Sequence, residues 1–376
     1  MADLASGSRD EVAATLALAQ IRGIGSGRLR TLVRASGGAV AAIRAPHAQT
    51  AALPGFSRAA ATAVRATSLA TGLDILDHLD RLGARALLAG DPEFPPLLTE
   101  IPDAPSVLYV WGDVSLLPRT SVAFVGSRNC SAYGSAATRM LAGDVAATGQ
   151  VVVVSGMARG IDAEAHEAAL DAGGPSVGVL GNGFGVVYPA ANRALYERMI
   201  AKGCLVTELP PGERPHAGAF PRRNRLVSGL AQVTVVVEAA VSSGALITAD
   251  CALDQGRTVL AVPGPITSAT SVGCNKLIQQ GAKPVLTAGD ILEELGLGRR
   301  EEGSGRREEG SAARKPPSDL DPMQKSLWEA LDPEPQHVDV LVAAGGGDAG
   351  KILTALTELE LRGIVKQEPG MMFGLR

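Results

Sequence analysis

The hexapeptide Phe220-Pro221-Arg222-Arg223-Asn224-Arg225 puts one aromatic ring beside three guanidinium groups, in a chain that is only 3% aromatic. Guanidiniums fork onto phosphate oxygens and a phenylalanine ring stacks on an unpaired base, so these residue types together suit a nucleic-acid strand. The competing reading is a solvated basic loop with Phe220 turned into the core. A helix-prone run at 226–231 and an apolar strand at 233–237 follow, which sets the hexapeptide in a connection at the edge of a parallel sheet. The window 214–225 carries four arginines and His216, with the single acid Glu213 just before it. That local cluster matters because formal net charge is −4, and residues 119–295 hold 14 Lys/Arg and 14 Asp/Glu. A polyanion site must then come from clustering, not from total charge.

Other candidate residues lie in turns that follow apolar strands. Gly126-Ser127-Arg128 follows the strand at 122–125, and Ser155-Gly156-Met157-Ala158-Arg159-Gly160 follows the strand at 151–154. The strand at 233–237 leads to Ser242-Ser243-Gly244-Ala245-Leu246-Ile247-Thr248. The strand at 259–262 leads to Pro263-Gly264 and then Gly273-Cys274-Asn275-Lys276. Gly/Ser turns that open helices aim backbone N–H groups outward, where anions are favoured. Four of them at one sheet edge, with Arg128, Arg159 and the arginines of 222–225, predict a phosphate-rich ligand.

Several chemistries are disfavoured. Gly181-Asn182-Gly183-Phe184-Gly185 follows a strand and Glu208 ends the next, as a dinucleotide site requires, but Tyr188-Pro189 and their neighbours separate these glycines from the helix. No Gly-x-x-x-x-Gly-Lys-Ser/Thr is present, so no P-loop is expected. Asp162 and His166 are i, i+4 without a third ligand, and read as a helix cap and a solvated face. Cys130, Cys204, Cys251 and Cys274 are far apart, which reads as reduced, mostly buried thiols and no zinc site. With five histidines and no catalytic triad or carboxylate pair, no metal, cofactor or catalytic residue is expected. An apolar run long enough to span a membrane and a secretory leader are both lacking, so a cytoplasmic protein is expected.

The elements that must position these residues follow from periodicity. Val-rich strands at 107–110, 122–125, 151–154, 176–180, 205–207, 233–237 and 259–262 alternate with Ala-rich helical segments. Continuous apolar strands separated by helices imply an α/β domain, a Rossmann-like doubly wound parallel sheet covered on both faces, over 71–295. Residues 1–70 read as a helical domain in which Ile21-Arg22-Gly23-Ile24-Gly25 returns as Leu53-Pro54-Gly55-Phe56-Ser57, similar to tandem helix-hairpin-helix or sterile-alpha-motif turns. Residues 299–317, low in complexity and without apolar residues larger than Ala, mark a disordered linker spanning 296–318. Three helices and a short hairpin over 319–376 describe a winged-helix module. Its 11 Lys/Arg against 14 Asp/Glu from Gly296 onward disfavour strong DNA binding there.

The ordered motifs Val122-Ala-Phe-Val-Gly-Ser-Arg128, Ser155-Gly-Met-Ala-Arg-Gly-Ile-Asp162, Phe220-Pro-Arg-Arg-Asn-Arg225, Ser243-Gly-Ala-Leu-Ile-Thr248, Val262-Pro-Gly264 and Gly273-Cys-Asn275 resemble the DNA processing protein A (DprA/Smf) family. The resemblance implies a cytoplasmic, non-enzymatic homodimer that binds and shields single-stranded DNA during natural transformation. It also implies that the protein loads the RecA recombinase, with single-strand-binding protein as a further partner. By resemblance, Ser127, Arg128 and the turn Ser155–Gly160 hold phosphates and Phe220 stacks on a base. Arg222, Arg223, Asn224 and Arg225 line the groove, joined by Ser243, Gly244, Thr248, Asn275 and Lys276. Ala219 and Asn182 depart from the residue types expected of the family. The alternative is a nucleotide phosphoribohydrolase-like enzyme on the same fold. It lacks support because Ser242–Leu246 replaces the Pro-Gly-Gly-x-Gly-Thr loop and no glutamate follows before Arg257.

If 299–317 cannot bury a face, limited proteolysis of the full chain cuts there first and leaves a stable fragment ending near residue 295. Mass spectrometry of the first fragments checks this, and initial cleavage elsewhere contradicts it.

Overall fold

The computed structural model describes residues 7–297, 320–331, 336–344, 349–368 and 371–375. Residues 298–318 of the expected linker lie outside the described residues. The chain divides into two compact units, Met1–Arg300 and Glu301–Arg376.

The first unit opens with α1 (Arg9–Ala19), α2 (Ser26–Ser36), α3 (Ala39–Arg44), α4 (His47–Ala51), α5 (Arg58–Ala66) and α6 (Leu69–Leu82). The two repeated turns join α1 to α2 and α4 to α5. Ser57 Oγ accepts the Ala60 amide at the start of α5, whereas Gly25 caps α2 with no side chain. The boundary expected at residue 70 falls inside α6. Leu16, Leu18, Leu29, Leu32 and Leu79 form one core with Leu88, Tyr109 and Leu205 from the sheet. Burying the stripes of short helices against a ready-made sheet face stabilises them in a way that a six-helix domain of this size could not match alone.

Nine strands follow: β1 (Arg85–Leu88), β2 (Val107–Gly112), β3 (Ser121–Val125), β4 (Val152–Ser155), β5 (Ser176–Val179), β6 (Cys204–Thr207), β7 (Val233–Val236), β8 (Thr258–Ala261) and β9 (Lys283–Pro284). They form one sheet in the order β1-β2-β6-β5-β4-β3-β7-β8-β9. Pairing is parallel from β6 to β9 and antiparallel for β1 with β2 and for β2 with β6. The all-parallel expectation is corrected at that edge. The sheet gains two unexpected strands: β1, whose first half is not buried and breaks the apolar run, and β9, only two residues long.

The remaining helices of this unit are α7 (Pro96–Glu100), α8 (Ala132–Ala147), α9 (Ile161–Asp171), α10 (Arg193–Lys202), α11 (Ala219–Gly229), α12 (Gly244–Asp254), α13 (Val272–Gln279) and α14 (Ala288–Glu294). Alternation along each strand divides its side chains between two cores. Val122, Phe124 and Val153 pack with Leu141 and Val145 of α8 and Ile161 of α9. Ala123, Val125, Val152 and Val154 pack with Leu226 of α11 and Ala245 and Ala249 of α12. Chain order runs outward from β3 through β4, β5 and β6, then resumes on the other side of β3 at β7. The crossovers diverge there, leaving a crevice beyond the carboxyl ends of β3 and β7.

The second unit holds α15 (Pro322–Ala330), α16 (Val338–Ala344) and α17 (Ala349–Leu361) with the sheet β10 (Gln336–His337), β12 (Met372–Leu375), β11 (Val365–Glu368) in that order. Leu327, Leu341, Ile352, Leu356, Leu359 and Phe373 form its core, the layout expected of a winged helix. No helix among the described residues is long and apolar enough to cross a membrane. The four cysteines are free, with Cys204 and Cys274 buried and Cys130 and Cys251 half-buried.

Gly72 marks the closest approach of the helices that open and close the N-terminal group, since a Cβ there would overlap the Ala13 carbonyl of α1. Gly72→Ala forces α1 and α6 apart and is expected to cost about 1–3 kcal/mol of stability, as overpacking does. Thermal melting checks this; an unchanged melting temperature would mean the helices slide freely on the sheet.

Candidate nucleic-acid interface

The crevice begins where two turns cross. The Ile161 amide donates to the Ser127 carbonyl at 3.2 Å, and a Cβ on Gly160 (φ +71°) would overlap that carbonyl. A Cβ on Gly126 would lie 2.5 Å from Ile161 Cγ1. These glycines let the turn after β3 lie directly on the start of α9, which leaves Arg128 and Arg159 exposed at the rim. Ser127 Oγ accepts the Asn129 amide, which tightens the turn.

The hexapeptide 220–225, expected in a loop, instead forms the first turns of α11, with Pro221 at the third helical position. Proline is tolerated there because the first-turn N–H groups have no intrahelical partner. Helical spacing then sorts the motif. Phe220, Arg223 and Asn224, at i, i+3 and i+4, share one side. Phe220 is half-buried, with the Arg128 guanidinium 5.4 Å from its ring centroid and the Tyr188 ring centred 5.5 Å away. Asn224 Nδ2 donates to the Gly244 carbonyl.

Two adjoining cavities occupy this side. One, about 670 Å³, is bordered by Arg128, Gly156–Arg159, Tyr188 and Phe220; the other, about 490 Å³, by Ser127, Arg128, Asn224, Ser243, Gly244 and Thr248. Arg223 lines both. It is only 6% exposed, donates from Nη1 to the Val179 carbonyl at 2.9 Å, and leaves Nε without a hydrogen-bond partner. A Cβ on Gly156 would overlap Arg223 Nη1 and lie 2.6 Å from Asp162 Oδ2, so only glycine fits between them. Burial pushes the Asp162 carboxyl above its usual range, opposed chiefly by Arg223, and pushes the Arg223 guanidinium down, opposed by Asp162.

Several expected contacts take other roles. Arg223 lines the two cavities only as their buried floor. Arg225 is 12% exposed and committed to Glu208 and to Asp103, whose carboxylate it meets at 2.9 Å and whose carbonyl at 2.8 Å. Arg222 is exposed toward a separate cavity of about 900 Å³ beside α2. Ser155 is fully buried, its hydroxyl donating to the Phe124 carbonyl. The Ala158 amide is taken by Asp162 at 3.3 Å. Met157 is buried, with a left-handed backbone (φ +57°) whose carbonyl accepts from Asn192. Asn275 clamps Gly264 through both ends of its amide, and neither it nor Lys276 borders the two cavities. Asp162 is the second residue of α9, not its cap, which is Gly160. His166, expected on a solvated face, is buried against the Ser176 hydroxyl, and desolvation pushes it down to about 3. No group of three or more metal-ligating side chains occurs among the described residues.

Glu238 and Tyr188 are functional candidates that sequence reasoning misses. Glu238 lies just past β7, 1% exposed, and its carboxylate accepts from the Ser131 amide (2.9 Å), the Ser131 hydroxyl (2.5 Å) and the Thr270 hydroxyl (3.1 Å). It also covers Gly134, where a Cβ would overlap it. The N-terminus of α8, the usual phosphate seat at a switch point, is thereby filled by the protein's own anion. The α12 N-terminus, capped by Ser243, still borders the second cavity. A single acid in an apolar strand gives no sign of this pairing in sequence. The signal for Tyr188 is its rarity, one of four tyrosines, set in a glycine-rich stretch.

Residues 85–296 match the family model of DNA recombination-mediator protein A, and residues 311–371 match that of the DprA winged helix domain. The chain is 40% identical to Protein Smf of Escherichia coli, over 77% of each chain. It is 42% identical to the DNA processing protein DprA of Streptococcus pneumoniae, over 54% of this chain and 72% of that one. The solved structure of the pneumococcal protein superposes with a TM-score of 0.67 at 31% identity, covering 77% of this chain and 98% of that one. A Helicobacter pylori DNA processing protein A, solved to describe its single-stranded DNA binding mode, gives a TM-score of 0.51 at 27% identity, over 56% and 95%. With more than half of its residues inside the family model, this chain belongs to the DNA recombination-mediator protein A (DprA/Smf) family.

Proposed function

We propose that this protein binds single-stranded DNA across the mouth of the switch-point crevice, shields it, and delivers it to the RecA recombinase in transformation and recombination, acting as a homodimer in the cytoplasm. The observation that carries the strand-binding part is the pairing at the rim of an exposed guanidinium, Arg128, with the Phe220 ring beside an open cavity of about 670 Å³. A charge and rings within one nucleotide's reach suit a phosphate and its unpaired base, and Arg159 and the α12 N-terminus extend the phosphate track. Delivery to RecA, displacement of single-strand-binding protein and self-association rest on the family alone. A nucleotide-hydrolysing enzyme is disfavoured because Ser242–Leu246 stands where its Pro-Gly-Gly-x-Gly-Thr loop would be, with no glutamate following before Arg257.

An oligonucleotide should bind more tightly single-stranded than as a duplex of equal length in the same salt; equal affinities overturn the reading. Arg128→Ala should reduce the slope of log K against log salt by about 0.7, the value for one neutralised phosphate on a single strand. Arg225→Ala should leave the slope unchanged, because that charge is already paired with Glu208 and Asp103. On strands coated with single-strand-binding protein, the cognate RecA should assemble faster when this protein is added. No acceleration where DNA binding is intact removes the loading role and keeps the binding one.

A further inference from the structure

We propose that Tyr188 supplies the principal base-stacking surface of the interface, with Phe220 supporting it and holding Arg128 in place. This rests on the strand-binding reading above and assigns a residue to that site. Phe220 is largely committed already. A Cβ on Gly181 would lie 2.9 Å from Phe220 Cδ1, so the ring lies on that backbone, and Arg128 lies over the ring as well. Tyr188 is 44% exposed and borders the same cavity as Arg128 and Phe220, with its ring tilted 39° to that of Phe220. The other aromatic side chain among the described residues that is comparably exposed, Tyr133, spends its hydroxyl on the Pro263 carbonyl.

The loop that carries Tyr188 is braced over the residues just before it. Phe184 is fully buried edge-on against Trp111, 5.6 Å between centroids. Asn182 Nδ2 donates to the Gly183 and Val186 carbonyls, and the Gly212 amide donates to the Phe184 carbonyl at 2.8 Å. An aromatic face presented to solvent from a braced loop loses little conformational freedom when a base lies on it, and such preorganisation favours binding. The glycine-rich stretch 181–185, which has the look of a dinucleotide turn, thus serves to present a ring. The ligand is an unpaired nucleobase of either class, since every base offers a π-face.

The full-length protein is titrated with a single-stranded oligonucleotide and with an abasic strand of the same length. Tyr188→Ala should weaken binding of the normal strand by about 5- to 150-fold, the range for loss of one base–aromatic stack. Tyr188→Phe should stay within about twofold of the parent, because the ring is kept. On the abasic strand Tyr188→Ala and the parent should bind alike. A Tyr188→Ala penalty that persists on the abasic strand means Tyr188 only shapes the loop and overturns the proposal. The proposal also fails if Tyr188→Ala binds the normal strand as the parent does while Arg128→Ala binds it weakly. If the parent itself shows no affinity for the normal strand, the strand-binding reading fails first and this assignment falls with it.

Discussion

Arg223 lies against the backbone of Gly156, and the whole interface depends on that contact. The side chain reaches from α11 under the turn after β4, anchors on the Val179 carbonyl of β5, and faces Asp162 at the start of α9 across a glycine that cannot carry a Cβ. Three elements of the sheet edge are thereby held at fixed distances by one side chain. A buried guanidinium without a full set of partners is costly, and the opposing Asp162 carboxylate offsets part of that cost. The left-handed Met157 and the turn around it persist because Asn192 holds their carbonyls from one side and Asp162 an amide from the other.

Charge is used sparingly above that floor. The central region is neutral in sum, and two of the three arginines in the 222–225 run are already spent, one on the floor and one on Glu208 and Asp103. What remains for a phosphate track is Arg128, Arg159 and helix amides at the rim. Glu238 takes the Ser131 amide at the start of α8 from that set. With the α8 N-terminus occupied, the cations left on this side, Arg128 and Arg159, are at the exposed surface. That arrangement favours a ligand with phosphates spaced along a chain over one with its phosphates bunched at a single helix end.

Much was legible from residue order alone. Val-rich strands such as β3 and β4 are buried on both faces, so their apolar runs stand out, and all seven expected strands appear within two residues at each end. The winged helix was likewise legible from its three periodic segments. β1, β9 and the antiparallel edge were not, because β1 is not buried over its first half and so lacks a continuous apolar run, and β9 has only two residues. The helices before residue 70 announced themselves, but not the core they share with Leu88, Tyr109 and Leu205.

At the interface, residue types established that arginines, a phenylalanine and glycine turns would gather beyond the strand ends, since a doubly wound sheet brings every such turn to one edge. Which arginine faces solvent was decided only by tertiary structure. Inside α11, a step of one residue swings a side chain by about 100°, so Arg222, Arg223 and Arg225 go to a neighbouring cavity, the floor and an ion pair. Their common letter in the sequence conceals three environments. Glu238 and Tyr188 stayed hidden for the same reason: one acts through Ser131, 107 positions away, and the other through Phe220. Local sequence carries the chemistry of each side chain, but burial and partnership are set by the distant segments that fold against it.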